Sequence, residues 1–113
     1  MDEFEIIRKY FQKISDNNHS AKKLNDDVFF DRKKKLVVSI DTYNEGVHFP
    51  NFKHPNLVIK KVIRSSISDL IAKGVKPEYY FIAGSGKRKQ FTKKNLKMIS
   101  KSLNQEQKKY NLK

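Results

Sequence analysis

The run between Pro55 and Pro77 constrains the rest of the chain more than any other segment. Val58, Val62, Ile63, Ile67, Leu70 and Ile71 recur at three- and four-residue spacing, the period of one helix face. Asn56 is placed to cap the start. Gly74 stands where a left-handed residue ends a helix, and Pro77 blocks any continuation. A helix this apolar on one side has to be covered, and short strand-like runs on either side of it are available for that purpose.

Val28-Phe29-Phe30 and Leu36-Val37-Val38-Ser39-Ile40 are rich in β-branched and aromatic residues and read as strands, with Asp31-Arg32-Lys33-Lys34-Lys35 as the polar turn of a hairpin. Glu78–Ala83 reads as a third strand. Phe4, Ile7, Phe11 and Ile14, behind an acidic start at Asp2 and Glu5, read as an N-terminal helix over 2–14. Residues 15–23 form a polar loop, in which His19 is a solvated side chain. Thr92 caps a last helix with Leu96, Ile99 and Leu103 on one face, and Tyr110–Lys113 looks like the approach to another strand. The expected class is α+β, with ββαβα after an N-terminal helix; the missing strand would leave a sheet edge unpaired, so the sequence looks cut short.

At 113 residues one domain is the limit, and the absence of cysteine excludes disulfides, zinc-thiolate sites and thiol catalysis. The opening residues lack a signal-peptide pattern and no apolar run reaches spanning length, so a cytoplasmic protein without a membrane segment is expected. The net charge of +13 is uneven: residues 1–56 carry 10 Lys+Arg against 9 Asp+Glu, whereas residues 57–113 carry 15 against 3. A basic half of this kind suits nucleic acid. Its composition argues against that, because 21 of the 25 cations are Lys and only four are Arg, the residue with a bidentate fork for phosphate and guanine.

The chemistry-bearing residues cluster elsewhere. Asp26 and Asp27 precede the first strand, and Asp41 ends its neighbour; strands about 4.8 Å apart let such residues converge on one ion. Asp69 lies on the central helix close to Ser66 and Ser68. Scattered single carboxylates suit Mg²⁺, which shares its shell with substrate phosphates. Taken singly, Asp26 and Asp41 are better explained as turn residues, and Asp69 as a solvent-facing helix residue; taken together with the surrounding pattern, the site reading wins. His48, bracketed by Val47 and Phe49, lacks a partner histidine for metal and reads as a substrate contact; His54 reads as surface. Gly84-Ser85-Gly86-Lys87 lacks the spacing of a phosphate-binding loop and reads as a plain turn.

In this order, Glu3-Phe4-Glu5-Ile6-Ile7, Asn25-Asp26-Asp27, Ser39-Ile40-Asp41-Thr42, Glu45-Gly46-Val47-His48-Phe49, Lys61 and Ser68–Pro77 make a pattern that resembles thiamine-monophosphate kinases of the aminoimidazole-ribonucleotide-synthetase-like superfamily. The resemblance covers nearly the whole chain. It implies an incomplete PurM-like N-terminal domain, with a mixed or antiparallel sheet and helices on one face, spanning 1–113 as a single ATP- and Mg²⁺-binding domain whose C-terminal companion is absent. It also implies ATP-dependent phosphorylation of thiamine monophosphate to thiamine diphosphate, with ATP as co-substrate. Asp27, Ser39, the Ile40 carbonyl, Asp41 and Asp69 match Mg²⁺ ligands, and His48 matches a contact to thiamine monophosphate. No general base is implied, since a substrate phosphate oxygen can attack directly. Sheet pairing in the family implies a homodimer.

Two residues depart from the family pattern. Asn25 stands in place of a glycine, where its tolerance of left-handed backbone would keep the turn. Ser66 stands where the helix would bear Asn. The family's Gly-Gly-Asp-Thr segment lies beyond Lys113, so the 113 residues alone are expected to be inactive. The rival reading is a small basic module that grips nucleic acid through Lys87-Arg88-Lys89 and the Lys93, Lys94, Lys97 and Lys101 face; its binding would weaken steeply with salt.

Overall fold

The computed structural model describes all of residues 1–113, which divide into two compact units, Met1–Ile40 and Asp41–Lys113. In the first, the N-terminal helix is present but uneven. It runs as α1 (Glu3–Ile6), opens into a π-helical turn over Ile7–Phe11, and tightens to a 3₁₀ turn over Gln12–Ser15. Asp2 caps it as expected, its Oδ1 accepting from the Glu5 N–H at 2.8 Å. The expected apolar face does not form a core within this unit, since Phe4, Phe11 and Ile14 are all exposed.

Residues 15–23 are more ordered than a plain loop. A 3₁₀ segment spans His19–Leu24, with the Asn18 side chain accepting from the Ser20 N–H at 3.0 Å. Lys22, Lys23 and Leu24 have φ of 49°, 56° and 57°, three successive left-handed residues with a cost of roughly 1–2 kcal/mol each. Asn25 itself has φ −108°, so the left-handed backbone expected there falls just upstream. Strands β1 (Phe29–Asp31) and β2 (Leu36–Val38) form the hairpin, antiparallel with Phe30 opposite Val37. Its turn is pinned by the Lys34 N–H donating to Asp31 Oδ1.

The second unit is built on α2 (Pro55–Ala72) and α3 (Lys93–Lys109). Helix α2 begins two residues earlier than its sequence suggested: Pro55 opens it with His54, not Asn56, in the cap position, and no side chain caps it. Its C-terminus is as read. Gly74, at φ +73°, donates to the Ile71 carbonyl and Val75 donates to Leu70, the paired bonds that close a helix with a left-handed residue. Thr92 Oγ1 caps α3 by accepting from the Asn95 N–H, and Asn111, at φ 52°, repeats the closing motif at the far end.

Ile59, Ile63 and Ile67 of α2 form the buried stripe, joined by Leu112 and flanked by Tyr80, Ile99, Leu103 and Tyr110. Of the anticipated face, Ile71 is exposed, while Ile59 takes a core position. Leu96 also stays exposed, and the deeply buried positions of α3 are polar: Ser102 and Glu106. Ser102 Oγ donates to the Asn56 carbonyl at 2.9 Å, and Glu106 accepts a two-pronged grip from Arg64, at 2.9 and 3.0 Å. The third strand is absent. Glu78–Ala83 has no regular structure, and its only backbone partners are the Lys113 N–H donating to Glu78 and the Tyr80 N–H donating to Lys113. The sheet is therefore the two-stranded hairpin alone, and the ββαβα order is not formed.

Ile63→Ala is expected to cost about 2–5 kcal/mol in urea unfolding, whereas Ile71→Ala should stay within about 0.5 kcal/mol. Arg64 holds the Glu106 carboxyl below its ordinary pKa, against the opposing effect of burial. A carboxyl depressed on folding adds stability that is present above its unfolded pKa and lost as pH falls through its folded one. The thermal midpoint should therefore drop on acidification. In Arg64→Met burial is opposed only by Lys109 and Lys60, and the contribution of Glu106 to that slope should shrink.

Candidate functional site

Helix α2 also presents polar side chains beside its isoleucine stripe. Three of its side chains meet the preceding segment in reverse order. Lys61 Nζ donates to the His48 carbonyl, Ser66 Oγ lies 3.5 Å from the Tyr43 hydroxyl, and Asp69 interacts with Asp41. Residues 41–48 therefore run antiparallel to α2, held by polar side chains and no backbone ladder.

Asp41 and Asp69 form the charged end. Partial burial raises the Asp41 pKa first, the Asp69 carboxylate raises it further, and hydrogen bonds from Tyr43 and Ser66 pull it back only partly. Two carboxylates set against each other in this way are a donor set for a divalent cation that completes its shell with water and phosphate. No group of three or more His, Asp or Glu side chains comes together, so a closed all-protein cage is absent.

His48 forms the other end. Gly46 turns the chain with φ +81° and donates to the Phe49 carbonyl, while the Val47 and His48 N–H groups both donate to Asn44. The Asn44 N–H donates to His48 Nδ1 at 2.8 Å, which places the proton of the neutral ring on Nε2, the edge that can meet a ligand. Tyr43 packs edge-on, 5.6 Å between ring centroids. The pinning expected from Val47 is not seen, because that side chain is 77% exposed; the backbone N–H, Tyr43 and Lys61 hold the ring and its turn instead.

The remaining expected residues lie in the first unit. Asp26 is a turn former, its Oδ1 accepting from the Val28 N–H at 3.3 Å and its Oδ2 lying 3.5 Å from Lys22 Nζ. Ser39 Oγ donates to the Asp27 carbonyl at 3.4 Å, and the Ile40 side chain is 85% exposed. The structure thus brings together Asp41, Asp69 and, along the same segment, His48. His19 and His54 are exposed as read. The roles of Tyr43, Lys61 and Gln90 were not assigned from sequence; the polar residues Lys61, Ser66 and Asp69 interrupting the apolar helix were the available signal.

Residues 25–113 match the family model of the AIR synthase related protein, N-terminal domain, and the chain belongs to that family. Its relatives include thiamine-monophosphate kinases. That of Buchnera aphidicola from Acyrthosiphon pisum is 33% identical over 81 residues, covering 68% of this chain and 25% of the relative. That of Aquifex aeolicus is 42% identical over 50 residues, covering 44% and 16%. That of Haemophilus influenzae is 30% identical over 87 residues, covering 74% and 26%. The chain thus spans about a quarter of the length of the curated relatives it matches. No solved structure matches it. No helix is long and apolar enough to cross a membrane.

Asp41→Asn provides a test of the carboxylate pair. A carboxyl whose pKa is raised on folding destabilises its ionised form, so at neutral pH without divalent cations the variant should melt at a higher temperature than the parent. A lower midpoint would mean that the Tyr43 and Ser66 hydrogen bonds outweigh the repulsion.

Proposed function

We propose that this chain supplies the Mg²⁺- and substrate-binding N-terminal part of a kinase that phosphorylates thiamine monophosphate with ATP to give thiamine diphosphate. The observation that carries the reading is the Asp41–Asp69 pair on the same segment-and-helix assembly as an oriented His48. The names of the relatives support the substrate. Asp41 and Asp69 would hold the metal. When bound, Mg²⁺ neutralises phosphate charge and draws the reacting oxygens into line.

The protein's own contribution is positioning. His48 presents Nε2–H to an oxygen of the thiamine monophosphate phosphate group, and Lys61 keeps the turn that carries it in place. A phosphate oxygen of the substrate attacks the terminal phosphorus of ATP, so the chain supplies no base and no nucleophile. We place the protein in the cytoplasm, as a homodimer joined through its exposed strand edges, with nucleic acid no part of its task.

Mg²⁺ should raise the thermal midpoint of the chain, and Asp41→Asn or Asp69→Asn should abolish that rise. The relatives are far longer, so the purified 113 residues should form no thiamine diphosphate from Mg-ATP and thiamine monophosphate; turnover by them would overturn that part of the reading. Thiamine monophosphate should perturb the His48 resonances, and His48→Ala should weaken its binding about tenfold or more, the scale of losing one charge-assisted hydrogen bond.

A further inference from the structure

We propose that the Gly84–Phe91 loop is a phosphate-binding wall of the His48 site, docked there by Gln90. This rests on the reading of His48 as a ligand-facing side chain. The Gln90 amide is used at both ends: Nε2 donates to Glu45 Oε2 at 2.9 Å, and Oε1 accepts from the Lys87 N–H at 2.8 Å. One side chain thereby joins the loop to the turn that carries His48 three residues further on. The Gln90 carbonyl is gripped in turn by Asn95 Nδ2 at 2.9 Å, which anchors the clip to α3. Gly86 is required by the same arrangement, since a Cβ there would lie 2.6 Å from Gln90 Oε1.

The docked loop carries Lys87, Arg88 and Lys89 in succession. None of the three takes part in an ion pair, and the acid beside them, Glu45, is engaged by the neutral Gln90 amide. Of the two arginines in this unit, Arg64 is consumed by Glu106, which leaves Arg88 as the guanidinium fork available to a phosphate. The loop has no phosphate-loop spacing and needs none: its cations are delivered to the site by a side-chain clip. The ligand class is a phosphate or diphosphate ester.

The test is titration of the isotope-labelled 113-residue chain with inorganic pyrophosphate at physiological salt, followed by backbone amide shifts. Amides of 84–91 and of 45–48 should move together and saturate. Arg88→Ala should weaken binding at least tenfold. Gln90→Leu and Gly86→Ala should uncouple the two sets of shifts while the amides of α3 stay in place, which separates loss of docking from loss of fold. Lys97→Ala/Lys101→Ala, on the outer face of α3, should leave affinity within about twofold. An equal loss in that variant, or shifts spread over all lysines, would mean diffuse attraction and overturn the proposal, as would no binding. Because pyrophosphate lacks thiamine, a failure of thiamine monophosphate to reach His48 leaves this readout intact. Titrating Arg88→Ala with thiamine monophosphate and with ATP shows which phosphate source uses the wall, by whose affinity falls.

Discussion

Everything described in residues 41–113 depends on one helix being used from two sides. The isoleucines of α2 at 59, 63 and 67 are spent on packing against α3 and Leu112. That burial fixes the rotation of the helix, and the rotation decides where Lys61, Ser66 and Asp69 point. Had the apolar stripe been wider, the polar face would have been consumed by the core. The Arg64–Glu106 grip adds a direction: a guanidinium fork is satisfied in one geometry, so it sets how the two helices lie as well as that they touch.

The polar site is a consequence of that fixed face. Asp41, Tyr43 and His48 reach it from an irregular segment that contributes no ladder of its own, Asp41 and Tyr43 meeting at Ser66 and His48 reaching Lys61. The charge arrangement is unfavourable at one end, where burial and then Asp69 raise the pKa of Asp41, and well satisfied at the other, where the Asn44 N–H orients the imidazole. Sites that bind cations and phosphates commonly carry unrelieved charge until occupied.

The parts legible in the sequence were those governed by local rules. Gly74 with Pro77 ended α2, Thr92 began α3, and the lysine-rich turn joined two strands, because each is decided within a few residues. Asp41 and Asp69 were readable as partners only in company with the surrounding motif, since an isolated aspartate has too many ordinary uses. Glu106 was not readable at all: its burial depends on Arg64, 42 residues away, and nothing around Glu106 announces it. The third strand was misread because Tyr79–Ala83 has strand composition, but a strand also needs a neighbour, and composition does not supply one. The N-terminal stretch had the right period and cap, yet a helix is regular only where something packs on it; with Phe4 and Ile14 exposed, the turn drifts from α to π to 3₁₀.

The antiparallel run of 41–48 along α2 has a consequence for motion. It is tied down by a few side-chain bonds, whereas α2 and α3 are tied by a packed interface. Opening the segment therefore costs much less than unfolding the helices, and it can fray and re-form while the core stays intact. A ligand that bridges Asp41 and His48 would stitch both ends of the segment at once. Part of its binding energy would then be spent on stilling that stretch of chain, so occupancy would be recorded in how slowly its amides exchange with solvent.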